Sequence, residues 1–255
     1  MVQNKQIKDF WEKSGLAKPA GELVTHGDIE QVAIEIDSVL SLLNKNDVLM
    51  DIGCGSGFST SIYADKCKKV LGIDYAETMI DSAKNGYQAN NLSFEQQNVL
   101  SLDRDYGLFS VIVSTRCLIN LNSWDEQKEA IQKIHECLET KGRLILIEGT
   151  LQGRKALNSL RSAVGLDPMP PVWHNIDFDE ELLFPFLSEL FEIKSDIRFG
   201  VYDLLMRVNY PLSIAPDSPQ YGSPFHRAAH TLAQAVGEDP FPQYCREFIL
   251  ELVKK

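Results

Sequence analysis

The chain has 255 residues, of which 44% are hydrophobic, enough to bury the core of one α/β domain with an insertion. Its 36 acidic and 25 basic side chains give a net charge of −11, which disfavours nucleic acid and membrane lipid as partners. The sequence has no apolar run of about 18 residues, so no membrane span is predicted. Because the five cysteines lack the paired spacing of metal ligands, we expect a cytoplasmic protein with reduced thiols and no metal.

Two amphipathic helices are predicted in residues 1–43, ahead of the first strand. The first contains Phe10 and Trp11, and the second begins at Asp28 and repeats apolar side chains at helical spacing. His26, just before the second helix, is interpreted as a neighbour of its cap rather than as a catalytic group. The remainder, residues 44–255, is predicted to form the main domain.

A glycine-rich segment, VLMDIGCGSGFST, occupies residues 48–60. An apolar strand is followed by Gly53, Gly55 and Gly57 and then by a helix, which is the first unit of an open parallel sheet. Ligands of such sheets bind outside the carboxyl ends of the strands. A dinucleotide fingerprint needs a glycine where this chain has Phe58, and a P-loop needs a lysine that is absent here.

The strands that follow support the same architecture. The second predicted strand, residues 69–74, ends in Asp74, about 20 residues past the glycines, where an acid can hydrogen-bond both ribose hydroxyls. Further strands are predicted over residues 92–96, 109–115 and 143–148, the second of them almost continuously apolar, as in the centre of a parallel sheet. The pocket is therefore expected to take a nucleoside with a small charged group.

The C-terminal part departs from a minimal sheet in two places. Residues 150–180 are predicted to form an insertion on the pocket side, and residues 210–245 form a proline-rich segment beside it. The other predicted elements are helices over 155–164, 178–190 and 225–236, strands over 191–198 and 202–209, and a closing helix or strand over 245–255.

Together these motifs resemble the class I S-adenosylmethionine-dependent methyltransferases, over roughly residues 45–150. The residues that carry the resemblance are Asp51, Gly53, Gly55, Gly57, Asp74, Asn98, Val99, Ser114, Thr115 and Arg116. The resemblance implies a doubly wound, mostly parallel seven-stranded sheet with an antiparallel edge hairpin, an N-terminal helical lid and an inserted helical cap. It also implies S-adenosylmethionine as methyl donor and S-adenosylhomocysteine as product, without a metal.

The same resemblance suggests which residues bind the cofactor. Asp74 is expected to hold the ribose, Tyr75 and Met79 to contact the adenine or ribose, and Val99 to bond adenine through its backbone N–H. Asn98 stands where the family usually has an acid, and its amide oxygen can still accept a bond from the adenine amino group. The full expected set is Trp11, Asp51, Gly53, Cys54, Gly55, Gly57, Asp74, Tyr75, Met79, Asn98, Val99 and Ser114.

The acceptor is expected between the ends of the fourth and fifth strands, under the two added segments. Three residues are candidates for catalysis: His174, His226 and Glu148. A histidine can accept a hydroxyl proton near neutral pH. Arg116, Tyr210 and Arg227 are candidates for binding an anionic acceptor, since arginine grips phosphate or carboxylate through its planar fork.

We therefore expect O-methylation of a small polar acceptor, with phosphorylated and nucleotide-linked molecules among the candidates. The Asn/Asp-Pro-Pro-Tyr/Phe motif of enzymes that methylate adenine, cytosine-N4 or glutamine amides does not follow the fourth strand. N-methylation of a small molecule, non-catalytic binding of S-adenosylmethionine, and another use of the same cofactor fold, such as aminopropyl transfer, are the alternatives. The long C-terminal segment resembles small-molecule methyltransferases of surface-polysaccharide and natural-product clusters. The acceptor and the oligomeric state stay open.

Overall fold

The computed structural model describes residues 2–24 and 27–255, so the prediction for His26 lies outside the described residues. The described chain forms one seven-stranded sheet with the order β3-β2-β1-β4-β5-β7-β6. Neighbouring strands are parallel from β3 to β5, and β7 is antiparallel to both β5 and β6. The strands are β1 (Val48–Ile52), β2 (Lys69–Asp74), β3 (Leu92–Gln96), β4 (Phe109–Thr115), β5 (Leu138–Gly149), β6 (Phe191–Ile197) and β7 (Glu247–Lys254). The predicted mixed sheet is confirmed.

Helices cover both faces of this sheet, which explains why its central strands are apolar throughout. One core cluster packs α5 and α7 against the sheet, and the other packs α2, α3, α8 and α10. In residues 2–24 and 27–255 no helix is long and apolar enough to cross a membrane. The helices are α1 (Val2–Gly15), α2 (Ile29–Leu42), α3 (Phe58–Ala64), α4 (Glu77–Gly86), α5 (Trp124–Cys137), α6 (Leu151–Ala163), α7 (Glu180–Leu190), α8 (Gly200–Leu204), α9 (Tyr210–Ile214) and α10 (Pro224–Ala235).

The prediction of a strand over residues 202–209 is wrong. This stretch is helical, with a π-helical turn at Leu205–Asn209 between α8 and α9. Tyr202, Met206 and Tyr210 are all buried, and their spacing of four residues places them on one helix face. The antiparallel partner of β6 is instead β7, from the end of the chain.

Helix α1 is fixed across the carboxyl edge of the sheet by a contact with the start of α4. The carboxylate of Glu12 accepts the backbone N–H groups of Glu77 at 3.1 Å and Thr78 at 3.0 Å. The N-cap residue of α4, Ala76, has no side-chain hydrogen bond, so Glu12 supplies the cap from another helix. A Cβ atom on Gly15 would lie 2.8 Å from the backbone nitrogen of Met79, which shows how closely the helices approach.

The two predicted lid helices occupy different places. Helix α1 contributes Phe10 and Trp11 to the cavity described below, whereas α2 buries Val32, Ile36 and Val39 in the core on one sheet face. The lid description therefore fits α1 alone. The division of the chain near residue 43 stays a prediction.

The close contact between α6 and the segment before β7 gives a test of the fold. A Cβ atom on Gly153 would lie 1.8 Å from the carbonyl oxygen of Cys245. Alanine ordinarily stabilises a helix interior by about 1 kcal/mol relative to glycine. We expect Gly153→Ala instead to lower the free energy of unfolding in urea by about 1–3 kcal/mol, because the backbone must move.

Ser159→Ala on the exposed part of α6 is the control, with an expected change within about 0.5 kcal/mol. A stabilised Gly153→Ala variant would contradict the placement of α6 against residue 245.

Candidate functional site

A cavity of about 700 Å³ lies at the carboxyl edge of the sheet. Sites for small molecules typically measure about 300–1,000 Å³, and in parallel sheets they lie at this edge. The wall is formed by α1, the ends of β1, β2, β4 and β5, the start of β7, and part of the segment 169–177.

The glycine turn presents its backbone to the cavity. Gly53 and Gly55 line the wall and have φ angles of 72° and 52°, a region that favours glycine. The backbone N–H groups of Gly53 and Cys54 donate to the carbonyl oxygen of Ile73 at 2.8 and 3.0 Å, which ties the turn to β2. Cys54 is not part of the cavity wall, so the structure does not support its expected contact with the cofactor.

Two other residues of the motif, Gly57 and Asp51, lie behind the wall. A Cβ atom on Gly57 would lie 2.8 Å from the ring of Phe94, so this glycine allows α3 to pack closely. Asp51 is buried and accepts a hydrogen bond from the Thr60 hydroxyl at 2.6 Å, and burial raises the pKa of Asp51 to about 7. Their predicted role as direct cofactor ligands is corrected to one of shaping the turn.

Asp74 lines the cavity at the end of β2 and is held by two backbone donors. Its Oδ2 accepts the N–H of Gly55 at 3.0 Å, and its Oδ1 accepts the N–H of Ala76 at 2.9 Å. Burial raises the pKa of Asp74 to about 6, although both backbone bonds lower it. Asp74 is therefore ionised at neutral pH, and each oxygen has a second lone pair for a hydroxyl donor.

The other expected nucleoside contacts lie on the same wall. Tyr75, Met79, Asn98 and Val99 all line the cavity. The Oδ1 of Asn98 already accepts the N–H of Leu100 at 3.0 Å, so one of its two lone pairs is used within the chain.

Unpartnered polar atoms gather on this cavity. Six buried side-chain atoms on its wall have no hydrogen-bond partner among the described residues. Leaving such a group unpaired costs about 1–3 kcal/mol, so a cluster of them indicates that a ligand supplies the partners. The atoms are Tyr75 Oη, Thr115 Oγ1, Asn122 Oδ1, His174 Nδ1, Asn175 Oδ1 and Glu247 Oε2.

The end of β4 exposes Thr115, not Ser114, to the cavity. Successive side chains of a strand point to opposite faces. Ser114 is buried and its hydroxyl donates to Glu148 at 3.3 Å. The expected contact of Ser114 with the cofactor is therefore corrected, and its neighbour takes that position.

Glu148 serves the turn after β4 and does not line the cavity. Its Oε1 accepts the N–H groups of Cys117 at 3.2 Å and Leu118 at 2.8 Å, and its Oε2 accepts that of Ile119 at 3.3 Å. Burial raises the pKa of Glu148 to about 8, while these donors lower it. The predicted catalytic role is corrected, because both oxygens hold the loop in place.

The cavity guanidinium groups are already paired with carboxylates. Arg116 adopts a positive φ of 49° and forms an ion pair with Glu35 of α2 at 2.5 Å. This ion pair reduces the capacity of Arg116 to bind an anionic acceptor. The other two pairs are Arg154–Asp177 and Arg246–Asp203.

His174 lies among aromatic rings at the mouth of the cavity. Its ring centroid is 4.8 Å from that of Phe10, 5.4 Å from Trp11 and 5.0 Å from Trp173. Burial lowers the pKa of His174, so the ring is neutral at pH 7. Trp11 also lines the cavity and donates its indole N–H to Asn120 Oδ1 at 3.2 Å.

His226, Tyr210 and Arg227 are outside the cavity wall. His226 is buried; its Nδ1 accepts the N–H of Gly222 at 2.7 Å, so Nε2 carries the hydrogen and faces Asp28 Oδ1 at 2.6 Å. Tyr210 is buried against α10, and the exposed Arg227 donates to the Gly222 carbonyl. The expected acceptor roles of all three are corrected, since α9 and α10 pack away from the site.

Several charged residues of the site carry no sequence signal. Contacts between distant segments place them at the site. Only the assignment of residues 247–254 as an edge strand could have predicted that Glu247 lies at the end of the sheet. In the part of the chain that the structure describes, no three His, Cys, Asp or Glu side chains group as metal ligands. The residues missed are Glu35, Arg154, Asp177, Arg246 and Glu247.

Comparison with known proteins accounts for this geometry. Residues 49–142 match the family described as "Methyltransferase domain". The structure of magnesium protoporphyrin IX methyltransferase from Synechocystis PCC 6803 with bound S-adenosylmethionine is similar, with a TM-score of 0.61 at 16% identity over 99% of this chain and 97% of that one. Residues 49–142 thus match a methyltransferase domain, and the described chain has the class I methyltransferase fold. The N-methyltransferase NodS from Bradyrhizobium japonicum WM9 shares the fold, with a TM-score of 0.58 at 14% identity over 98% of each chain.

Curated relatives match this domain over part of their length. The ubiquinone biosynthesis O-methyltransferase of Coxiella burnetii is 26% identical over 139 residues, which is 54% of this chain and 55% of that protein. The chain thus spans about half the length of the relatives it matches. The glycine turn, Asp74 and the unpartnered hydroxyls of Tyr75 and Thr115 fit a nucleoside with a charged end, such as the S-adenosylmethionine bound to the Synechocystis enzyme.

Glu148 gives a test of how the site is held together. Glu148→Ala leaves several backbone donors unpaired, so we expect the free energy of unfolding to fall by at least about 3 kcal/mol. Glu148→Gln keeps an acceptor and should lose less. The exposed Glu139→Ala on the same strand is the control, with a change within about 0.5 kcal/mol in urea unfolding. Equal stability of Glu148→Ala and Glu139→Ala would contradict this role.

Proposed function

We propose that the protein transfers the methyl group of S-adenosylmethionine to a hydroxyl of a small acceptor with an apolar, ring-containing body. The observation that carries this proposal is His174 Nδ1, a buried ring nitrogen without a partner among the described residues, on the wall of the same cavity as Asp74. A neutral imidazole within reach of the acceptor can take the proton that a hydroxyl loses on methylation.

The cofactor half of the cavity is supplied by the sheet. The backbone of Gly53 and Gly55 would hold the charged end, the Asp74 carboxylate the ribose, and Met79 and Val99 the base. When bound, S-adenosylmethionine supplies a methyl group on a sulfonium, a very good leaving group. The protein then contributes orientation of the acceptor and exclusion of water, for which the closely docked α1 is suited.

The acceptor half is largely apolar and aromatic. Phe10, Trp11, Ile119 and Val172 line it together with His174. The predicted anionic acceptor has less support at the sheet end of the cavity, where each guanidinium faces a carboxylate. Lys5 and Lys8 line the wall on α1. A ring-bearing hydroxyl compound fits the apolar and aromatic side chains better than a phosphorylated one. A role in surface-polysaccharide biosynthesis stays a prediction.

His174→Gln tests the proton acceptor. With methyl-labelled S-adenosylmethionine and an extract of small metabolites, we expect transfer at pH 7 to fall at least about 100-fold. Because burial lowers the pKa of His174 below 6.5, the wild-type rate should be full at neutral pH and decline as the pH falls through that lowered pKa. The variant should lack this decline and bind S-adenosylhomocysteine as wild type does.

His230→Gln is the matched control, since His230 pairs with Glu30 outside the cavity and should keep the rate and its pH profile. An unchanged pH profile in His174→Gln would contradict the proposed base. A labelled product methylated at nitrogen would favour the N-methyltransferase alternative. Binding of S-adenosylhomocysteine without any transfer would favour the non-catalytic alternative.

A further inference from the structure

Glu247 places a buried carboxylate on the acceptor side of the cavity. It is the first residue of β7 and pairs with Gly149 at the end of β5, so it sits at the carboxyl edge of the sheet. Glu247 is 6% exposed, and its Oε2 has no hydrogen-bond partner among the described residues. A buried carboxylate without a partner for one oxygen is costly, so this position calls for a donor.

The donor cannot come from Gln31, the residue that holds the other oxygen. The Nε2 of Gln31 donates to Glu247 Oε1 at 2.8 Å and to Glu35 Oε1 at 3.1 Å. Its Oε1 accepts from Arg207 at 2.9 Å and from Arg246 at 2.8 Å. Both donors and both lone pairs of the amide are therefore used.

The amide of Gln31 joins groups of like charge at each of its two polar atoms. Its nitrogen donates to the carboxylates of Glu35 and Glu247, and its oxygen accepts from two guanidinium groups. Burial raises the pKa of Glu35 to about 8, Arg116 opposes the rise and Glu247 adds to it. The negative charge of Glu247 therefore disfavours the ionised form of Glu35, and a cation bound at Glu247 would relieve this effect.

We propose that Glu247 binds an ammonium group of the acceptor, so that the substrates are hydroxyl compounds that carry a cationic amine. This inference rests on the proposed function, because it concerns the acceptor of the same cavity. An ammonium group gives Oε2 a charge-assisted hydrogen bond and offsets the repulsion between Glu35 and Glu247. The aromatic wall around His174 takes the rest of the molecule.

Three probes with one phenol ring but different charges test the inference. They are tyramine, which is cationic, 4-ethylphenol, which is neutral, and 4-hydroxyphenylacetate, which is anionic. Calorimetry on protein loaded with S-adenosylhomocysteine should rank them in that order. We expect tyramine to bind at least tenfold more tightly than 4-ethylphenol, the gain expected from a hydrogen bond to a charged group.

Glu247→Gln isolates the residue responsible. This variant should reduce the preference for tyramine over 4-ethylphenol to less than about threefold while it keeps the affinity for S-adenosylhomocysteine. The control is Glu251→Gln, on the same strand but outside the cavity wall, which should keep the full preference. Thermal unfolding of each variant shows that it is folded.

Equal binding of tyramine and 4-ethylphenol to the wild type, absent binding of tyramine, or a preference retained by Glu247→Gln would overturn the inference. The proposed function fails separately: a tyramine preference without methyl transfer to oxygen contradicts that function but supports the ammonium site. Methyl transfer to the hydroxyls of tyramine and 4-ethylphenol, with equal affinity for the two, supports the proposed function and contradicts the ammonium site.

Discussion

Buried and partly buried carboxylates at the ends of the strands hold the loops from which the cavity is built. Asp51 at the end of β1 accepts the Thr60 hydroxyl, Asp74 at the end of β2 accepts N–H groups of both flanking turns, and Glu148 near the end of β5 accepts those of the turn after β4. Asp74 and Glu148 each accept from two or more donors, whereas Asp51 accepts from the Thr60 hydroxyl. These hydrogen bonds compensate the carboxylates for the loss of water. Only Asp74 also lines the cavity, so most of these acids fix geometry and do not contact ligands.

The acceptor half of the cavity depends on contacts between segments near the two ends of the sequence. Gln31 in α2 and Glu247 in β7 are 216 residues apart in sequence and joined by one hydrogen bond. Helix α1 reaches the same cavity through the Glu12 cap on α4. Apart from Ile119, the side chains named for the acceptor half come from segments outside residues 49–142, the part that matches the methyltransferase family.

The cofactor half could be predicted from the sequence because its signals are local. The positions of the glycine turn and Asp74 at the site follow directly from the order of the strands. The pattern of β4, by contrast, does not say whether Ser114 or Thr115 faces the ligand. The segment after β6 alternates well enough to resemble a strand, yet Tyr202 and Met206 bury one helical face. The expected site residue His226 lies outside the cavity wall, and Glu247, which had no predicted role, lines it, because only tertiary contacts decide which side chain meets the cavity.

The central claim is that Asp74 and the glycine turn bind S-adenosylmethionine and its product. Titration calorimetry with S-adenosylhomocysteine, on the wild type and on Asp74→Ala, tests it most directly, with Asp81→Ala on the exposed part of α4 as control. Each lost hydrogen bond to a charged group is worth about 1.5–3 kcal/mol, so Asp74→Ala should bind at least tenfold more weakly than wild type and Asp81→Ala. No binding by the wild type, or equal affinity of the folded Asp74→Ala variant, would contradict the claim.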